Sequence, residues 1–166
     1  MSVAEDSILV KKIRKVFGSG ILETATFRGE VTHLIKKEAL LDICAFLRSE
    51  ADIKMNFLAD IVGVDRHPEK PRFEVVYHLC SFETKQRIRL KLRVEEGEAA
   101  PSLTGLWRSA ACAEREAYDM FGIVFDGHEN LRRIYLSEDW EGFPLRKDYP
   151  LKGYKDRYNP YGEDKD

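Results

Sequence analysis

The chain has 166 residues, enough for one domain with a substantial core and short for two. Its 27 Lys and Arg stand against 29 Asp and Glu, a formal charge of −2, so no global basic excess draws it to nucleic acid or anionic lipid. Hydrophobic residues at 43% and charged residues at 34% exclude wholesale disorder, and no uncharged apolar run approaches the ~20 residues that span a bilayer.

In chain order, Leu9, Ile13, Val16 and Phe17 recur at helical spacing with Lys11, Lys12, Arg14 and Lys15 between them, which predicts a short amphipathic helix stopped by Gly18 and Gly20. The N-terminus has no continuous apolar core, and Glu5 with Asp6 speak against an organellar presequence, so no targeting segment is expected. Residues 22–27 and 31–35 alternate with period two around Arg28-Gly29, the pattern of a β-hairpin. Over 38–49, Leu40, Ile43, Cys44 and Leu47 share a face, with acid at the start and Arg48 at the end, as the helix dipole prefers.

Three more strands are expected over 55–64, 73–82 and 86–94, the first two separated by the Pro68 and Pro71 turn. In the last, Ile88, Leu90, Leu92 and Val94 point one way and Lys85, Arg87, Arg89, Lys91 and Arg93 the other, the mark of a solvated or edge strand with a basic face. The stretch 103–121 reads as the longest helix, closed by Gly122. Cys44, Cys80 and Cys112 are odd in number and widely spaced, which fits neither a disulfide framework nor paired metal ligands; all three are read as buried thiols.

Beyond Gly122 the periodicity fades. From 135 to 161, Pro144, Pro150 and Pro160 alternate with Tyr135, Trp140, Phe143, Tyr149, Tyr154, Tyr158 and Tyr161. Prolines keep such a segment extended, and rigid aromatics with Arg146 are residue types that anchor one protein on another. The sequence therefore divides into an α+β domain over 1–126, with a mixed, largely antiparallel sheet of four to five strands and two to three helices, and an extended partner-binding arm over 127–166.

The densest ionisable cluster runs from Glu114, Arg115, Glu116, Tyr118 and Asp119 through Asp126, His128, Arg132 and Arg133. Arg115 and Asp119 are placed to pair at i,i+4, and Glu114 stacks over Tyr118 by the same spacing. Asp126 and His128 alone do not complete a metal site, and a structural or interfacial role is the simpler reading of the cluster. The Walker loop, GxGxxG, GxSxG and CxxC are all missing, so the chain is expected to hold no cofactor, and no catalytic, cofactor-binding or metal residue is assigned.

The run EREAYDMFGIVFDGH at 114–128, then LRRIYL at 131–136 and DWEGFPLRKDYPL at 139–151, closely resembles the 30 kDa subunit family of respiratory complex I, the C-type subunit in bacteria. Glu129 and Ser137 stand where that family commonly has proline, which alters local turns and leaves the charged pattern intact. The resemblance implies a peripheral subunit of a proton-translocating NADH:quinone oxidoreductase, on the cytoplasmic side of the bacterial membrane, touching lipid only through the complex. It implies a chain inactive by itself that packs against the large 49 kDa-type (D) subunit and the B-type subunit, while the parent complex uses FMN, iron–sulfur clusters, NADH and quinone. On this resemblance the interface candidates are Glu114, Arg115, Glu116, Tyr118, Asp119, His128, Arg132, Arg133, Trp140, Arg146, Lys147, Asp148 and Tyr149. The rivals are a small subunit of a plastoquinone-reducing complex or membrane-bound hydrogenase and, from another class, a nucleic-acid-binding module, against which the interleaved acids argue.

Overall fold

Leu9, Val10 and Ile13 fall on one stripe of a helix and are buried, while the lysines between them stay at the surface. The computed structural model describes residues 8–157 and 159–164; the readings made of Glu5, Asp6 and Tyr158 lie outside the described residues. Helix α1 spans Ile8–Phe17 and passes through a 3₁₀ turn, Gly18–Gly20, into strand β1, Ile21–Phe27. Arg28 and Gly29 both take positive φ, 50° and 82°, the backbone of a two-residue hairpin turn, and β2, Glu30–Ile35, returns antiparallel. Helix α2, Leu40–Ser49, buries Leu40, Ile43, Cys44 and Leu47, the face read from the sequence.

Strands β3, Phe57–Asp65, β4, Phe73–Cys80, and β5, Arg87–Val94, form an antiparallel meander, and β5 lies parallel to β2. The sheet order is β1-β2-β5-β4-β3, so the fold is α+β with one mixed, mostly antiparallel five-stranded sheet. The basic strand β5 is thus interior, with neighbours on both sides, and the edge-strand reading is corrected. Its alternation holds: Ile88, Leu90, Leu92 and Val94 enter the core and Arg87, Arg89, Lys91 and Arg93 occupy the other face.

The core is one-sided. Leu9, Ile13, Leu40, Ile43, Leu47 and Ala117 from the three helices join Ile35, Ile61, Phe73, Val75, Tyr77, Leu79, Leu90 and Leu92 from the sheet in one cluster. Helix α3, Ala110–Phe121, lies on β3, where Gly63 allows Phe121 so close that an added Cβ would sit 2.6 Å from its Cδ2.

Helix α3 begins seven residues later than the periodicity of 103–121 suggests. Residues 102–103 have no regular structure and turns follow at 104–106 and 108–109, where the Glu114 carboxylate, accepting the Leu103 N–H at 2.6 Å and the Ser102 hydroxyl at 2.7 Å, ties the chain to the helix. The residues before it form the two-residue strand β6, Ala100–Pro101, parallel to β7, Phe125–Asp126. Gly122 closes α3 at φ 75°. Of the cysteines only Cys44 is buried; Cys80 is half-buried and Cys112 exposed, which corrects the reading of three buried thiols.

Candidate functional site

Asp119 sits in the last turn of α3, fully buried. Its Oδ1 accepts Arg133 Nη1 at 2.8 Å, and its Oδ2 accepts the backbone N–H groups of Ile134, Tyr135 and Leu136 at 2.8–3.0 Å. Burial opposes ionisation, yet the guanidinium and the three N–H groups outweigh it and hold the carboxyl below its ordinary range. Arg133 is shared further: Nη1 reaches the Asp119 carbonyl, and Nη2 donates to the carbonyls of Trp140 and Gly142 at 3.0 Å. One buried ion pair thus fixes both ends of the segment 133–142 on α3.

The i,i+4 pair expected between Arg115 and Asp119 is not made. Arg115 instead donates to the carbonyls of Arg132 and Arg133 at 3.0 and 2.6 Å, gripping the same segment from the preceding turn of the helix. Glu116 accepts the Tyr135 hydroxyl at 3.3 Å. The ring of Tyr118 meets Phe143 edge-on at 6.2 Å. His128 accepts the Asn130 N–H at Nδ1, so the proton of the neutral ring lies on Nε2 and is donated to the Ala111 carbonyl at 3.0 Å. Glu114 faces inward; burial pushes its carboxyl up, against the pull of the Leu103 N–H and the Ser102 hydroxyl.

A second clamp lies at the end of the sheet. Arg72, buried, donates to Asp65 at 3.0 Å, to Asp148 at 2.6 Å and to Glu96 at 2.8 Å. Asp65 also accepts the Lys147 backbone N–H at 2.9 Å and the His67 N–H at 2.9 Å. Burial alone would raise the Asp65 carboxyl, but Arg72 and these two N–H groups bring it down to about 2. Arg72 likewise holds the Asp148 and Glu96 carboxyls below their ordinary range. Arg146 donates to the Phe121 carbonyl at 2.7 Å and to Glu96, and its guanidinium lies 4.5 Å from the Phe143 ring centre and 5.1 Å from that of Phe73. Lys147 Nζ reaches the His67 carbonyl at 3.1 Å. Tyr149 meets Tyr154 edge-on at 5.2 Å.

The structure therefore brings Asp119, Arg115, Arg133, Trp140 and Glu116 together in one clamp, and Arg146, Lys147 and Asp148 in the other. His128, Glu114 and Arg132 stand beside the first, Arg132 through its backbone carbonyl alone. The sequence reading missed Asp65, Arg72 and Glu96, which organise the second clamp. The one local signal was charge at Asp65 and Arg72, either side of the Pro68 and Pro71 turn where two largely apolar strands meet. The residues from 127 to 150 lie against the domain by these bonds, while Tyr135, Leu145, Leu151 and Tyr161 turn outward with relative exposures of 67%, 55%, 101% and 87%.

Chemically, each buried carboxylate of the clamps is already engaged by arginine and backbone N–H, the arrangement that orders a chain segment. Among the described residues no three His, Cys, Asp or Glu side chains gather so as to hold a metal ion, and no helix is long and apolar enough to cross a membrane.

Residues 33–155 match the family described as "Respiratory-chain NADH dehydrogenase, 30 Kd subunit". The chain is 48% identical over 162 residues to the second C-type subunit of NADH-quinone oxidoreductase of Rhizobium etli (strain CIAT 652), covering 98% of this chain and 86% of that one. It is 47% identical over 148 residues to the C-type subunit of NADH-quinone oxidoreductase of Roseiflexus sp. (strain RS-1), covering 89% and 85%, and 47% identical over 152 residues to the protein of the same name from Geotalea uraniireducens (strain Rf4), covering 91% and 92%. Matched over most of its length to relatives of nearly its own size, and carrying both clamps within the matched span, the chain belongs to the 30 kDa subunit family of respiratory-chain NADH dehydrogenase.

Proposed function

We propose that this chain is the C-type peripheral subunit of a proton-translocating NADH:quinone oxidoreductase and serves electron transfer by assembly, holding no redox group of its own. The observation that carries the reading is near-half identity along nearly the whole chain to proteins named as C-type subunits of NADH-quinone oxidoreductase. The clamps support the structural role: the buried carboxylates of Asp119 and Asp65 are committed to arginine and backbone N–H. The wide spacing of Cys44, Cys80 and Cys112, and the lack of a nucleotide-binding loop, support the absence of a cluster or flavin in this chain.

Its partners are the large D-type subunit and the B-type subunit, met through the outward side chains Tyr135, Leu145, Leu151 and Tyr161. Its place is the cytoplasmic side of the bacterial membrane, and FMN, iron–sulfur clusters, NADH and quinone belong to the other subunits. Affinity purification of the tagged chain from detergent-solubilised membranes tests the reading. Co-purification of the D- and B-type subunits, with a quinone-reductase activity that the isolated chain lacks, is the expected result; recovery without oxidoreductase subunits, or flavin or iron absorption tracking with the pure chain, contradicts it.

A further inference from the structure

Four acids are buried among the described residues, and three of them have a cation beside them: Asp65 has Arg72, Asp119 has Arg133, and Glu74 has Lys91, Arg93 and Arg66. Glu114, the fourth, has none within ion-pair distance among the described residues. It is fully buried early in α3, and its carboxylate is held by neutral donors alone, the Leu103 N–H on Oε1 at 2.6 Å and the Ser102 hydroxyl on Oε2 at 2.7 Å. An unpaired negative charge in such a place costs free energy, and burial accordingly pushes the carboxyl up towards its neutral form. Two ionisable groups of neighbouring elements come within electrostatic reach, Tyr77 of β4 and His128 beyond β7. Tyr77 is itself fully buried and its phenol is held neutral, and the His128 ring bonds to Ala111 and Asn130 in its neutral form.

The hydroxyls do not end at Ser102. Its Oγ lies 2.8 Å from Thr104 Oγ1 and also accepts the Thr104 N–H at 3.2 Å, and both residues are only half-buried, so the chain of oxygens leads from Glu114 to the surface. We infer that Glu114 is a proton-binding site, loaded from solvent through the hydroxyls of Thr104 and Ser102. With the carboxylate ionised, Thr104 donates to Ser102 Oγ and Ser102 donates to Glu114 Oε2. On loading, a hydronium ion gives its proton to Thr104 Oγ1, Thr104 passes its own proton to Ser102 Oγ, and Ser102 passes its own to Oε2; one O–H bond forms and one breaks at each hydroxyl, and a water is left outside. The chain then runs in the opposite sense, Glu114 donating to Ser102, Ser102 to Thr104 and Thr104 to solvent. In both senses the Leu103 N–H stays on Oε1 and the Thr104 N–H on Ser102 Oγ, so the proton enters without breaking a contact. The clamps differ, because a proton on Asp65 or Asp119 would leave a buried arginine unmatched. The inference does not depend on which partners the chain assembles with.

The test follows the side-chain carboxyl carbons of the full chain by NMR as pH is varied, with the Glu114 resonance identified by its loss in Glu114→Gln. Its midpoint is expected to lie roughly one pH unit or more above those of the exposed glutamates in the same sample. His128 is followed at its own ring carbon in the same spectra, which keeps the two titrations apart. Thr104→Val, which removes the outer hydroxyl and keeps the shape, is expected to leave the midpoint in place and to slow proton exchange several-fold, seen as broadening or splitting of the Glu114 resonance at its midpoint. Glu114→Gln imitates the loaded acid; its melting temperature is expected to rise relative to that of the unchanged chain as pH climbs through the midpoint, because only the unchanged chain then carries the unpaired charge. Should that variant fail to fold, the resonance is identified through its own backbone signals, and the midpoint and Thr104→Val decide. A midpoint among those of the exposed glutamates, or a melting difference that does not vary with pH, overturns the proton site. Exchange as fast in Thr104→Val as in the unchanged chain overturns the hydroxyl route.

Discussion

The Asp119 carboxylate and the Arg133 guanidinium, 2.8 Å apart, join the last turn of α3 to a segment 14 residues further along the chain. Because Asp119 also accepts three backbone N–H groups from 134–136, the pair fixes the path of the chain as well as its charge. Truncating one member leaves the other buried and unmatched. Asp119→Ala is therefore expected to destabilise the domain by about 3–5 kcal/mol, and to make amides of 134–136 exchange with solvent much faster than those of β4 and β5. Hydrogen exchange with mass spectrometry checks this; protection of 134–136 equal to that of the unchanged chain counts against it.

Arg72 and Asp148 lie 76 residues apart and carry the second clamp. Arg72→Ala would strand Asp65, at a cost of about 3–5 kcal/mol, whereas Asp148→Asn leaves Arg72 with Asp65 and Glu96 and is expected to cost at most about 1 kcal/mol. Chemical denaturation of the two variants checks the ranking. An equal loss from both would mean that Asp148, and not Asp65, is the main partner of Arg72.

His33 is fully buried, with Nδ1 2.9 Å from Thr24 Oγ1, and burial together with the nearby charge of Arg14 lowers its pKa to about 4. The folded chain thus keeps the ring neutral, while the unfolded chain takes up a proton below the ordinary value of ~6.5. Stability from this group is complete above pH 6.5 and is lost as pH falls towards 4, by about 3 kcal/mol if fully expressed. Asp65, depressed to about 2, adds a further loss below pH 4. Thermal unfolding between pH 7 and 4 should show a falling melting temperature, with a shallower slope in His33→Leu. An unchanged slope in that variant would remove His33 as the cause.

Gly122 takes φ 75°, and a Cβ there would lie 2.6 Å from both Arg146 Nη2 and Phe143 Cε2. Gly122→Ala is expected to cost about 1–3 kcal/mol and to shift Arg146 from its place over Phe143. A melting temperature within a degree of the unchanged chain would show that the C-terminal segment tolerates displacement there.

How much of this was legible depended on how local the cause was. The alternation of Ile88, Leu90, Leu92 and Val94 announced β5, and Arg28-Gly29 announced the hairpin, because strand period and positive φ are properties of adjacent residues. The start of α3 was misread because Leu103, Leu106 and Trp107 have helical spacing, while what ties the chain there is a hydrogen bond from Leu103 to Glu114, across 11 residues. The same limit hid the real partner of Asp119. Spacing offered Arg115 one turn away, but the fold brings in Arg133, and Arg115 is released to hold the carbonyls of residues 132 and 133. Arg72, Asp65 and Glu96 carried no motif, since their meeting with Asp148 exists only once the sheet has formed.

The charged clamps are proposed to serve assembly of the oxidoreductase and not its chemistry. The most direct measurement is quinone-reductase activity divided by the quantity of intact complex, in membranes carrying Arg115→Ala or Arg146→Ala. Less assembled complex is expected, because Arg115 and Arg146 hold the C-terminal segment on α3 and its loosening misplaces the outward side chains, with near-normal turnover in the complex that remains. Full assembly with lost turnover would contradict it and place these residues in the quinone or proton chemistry.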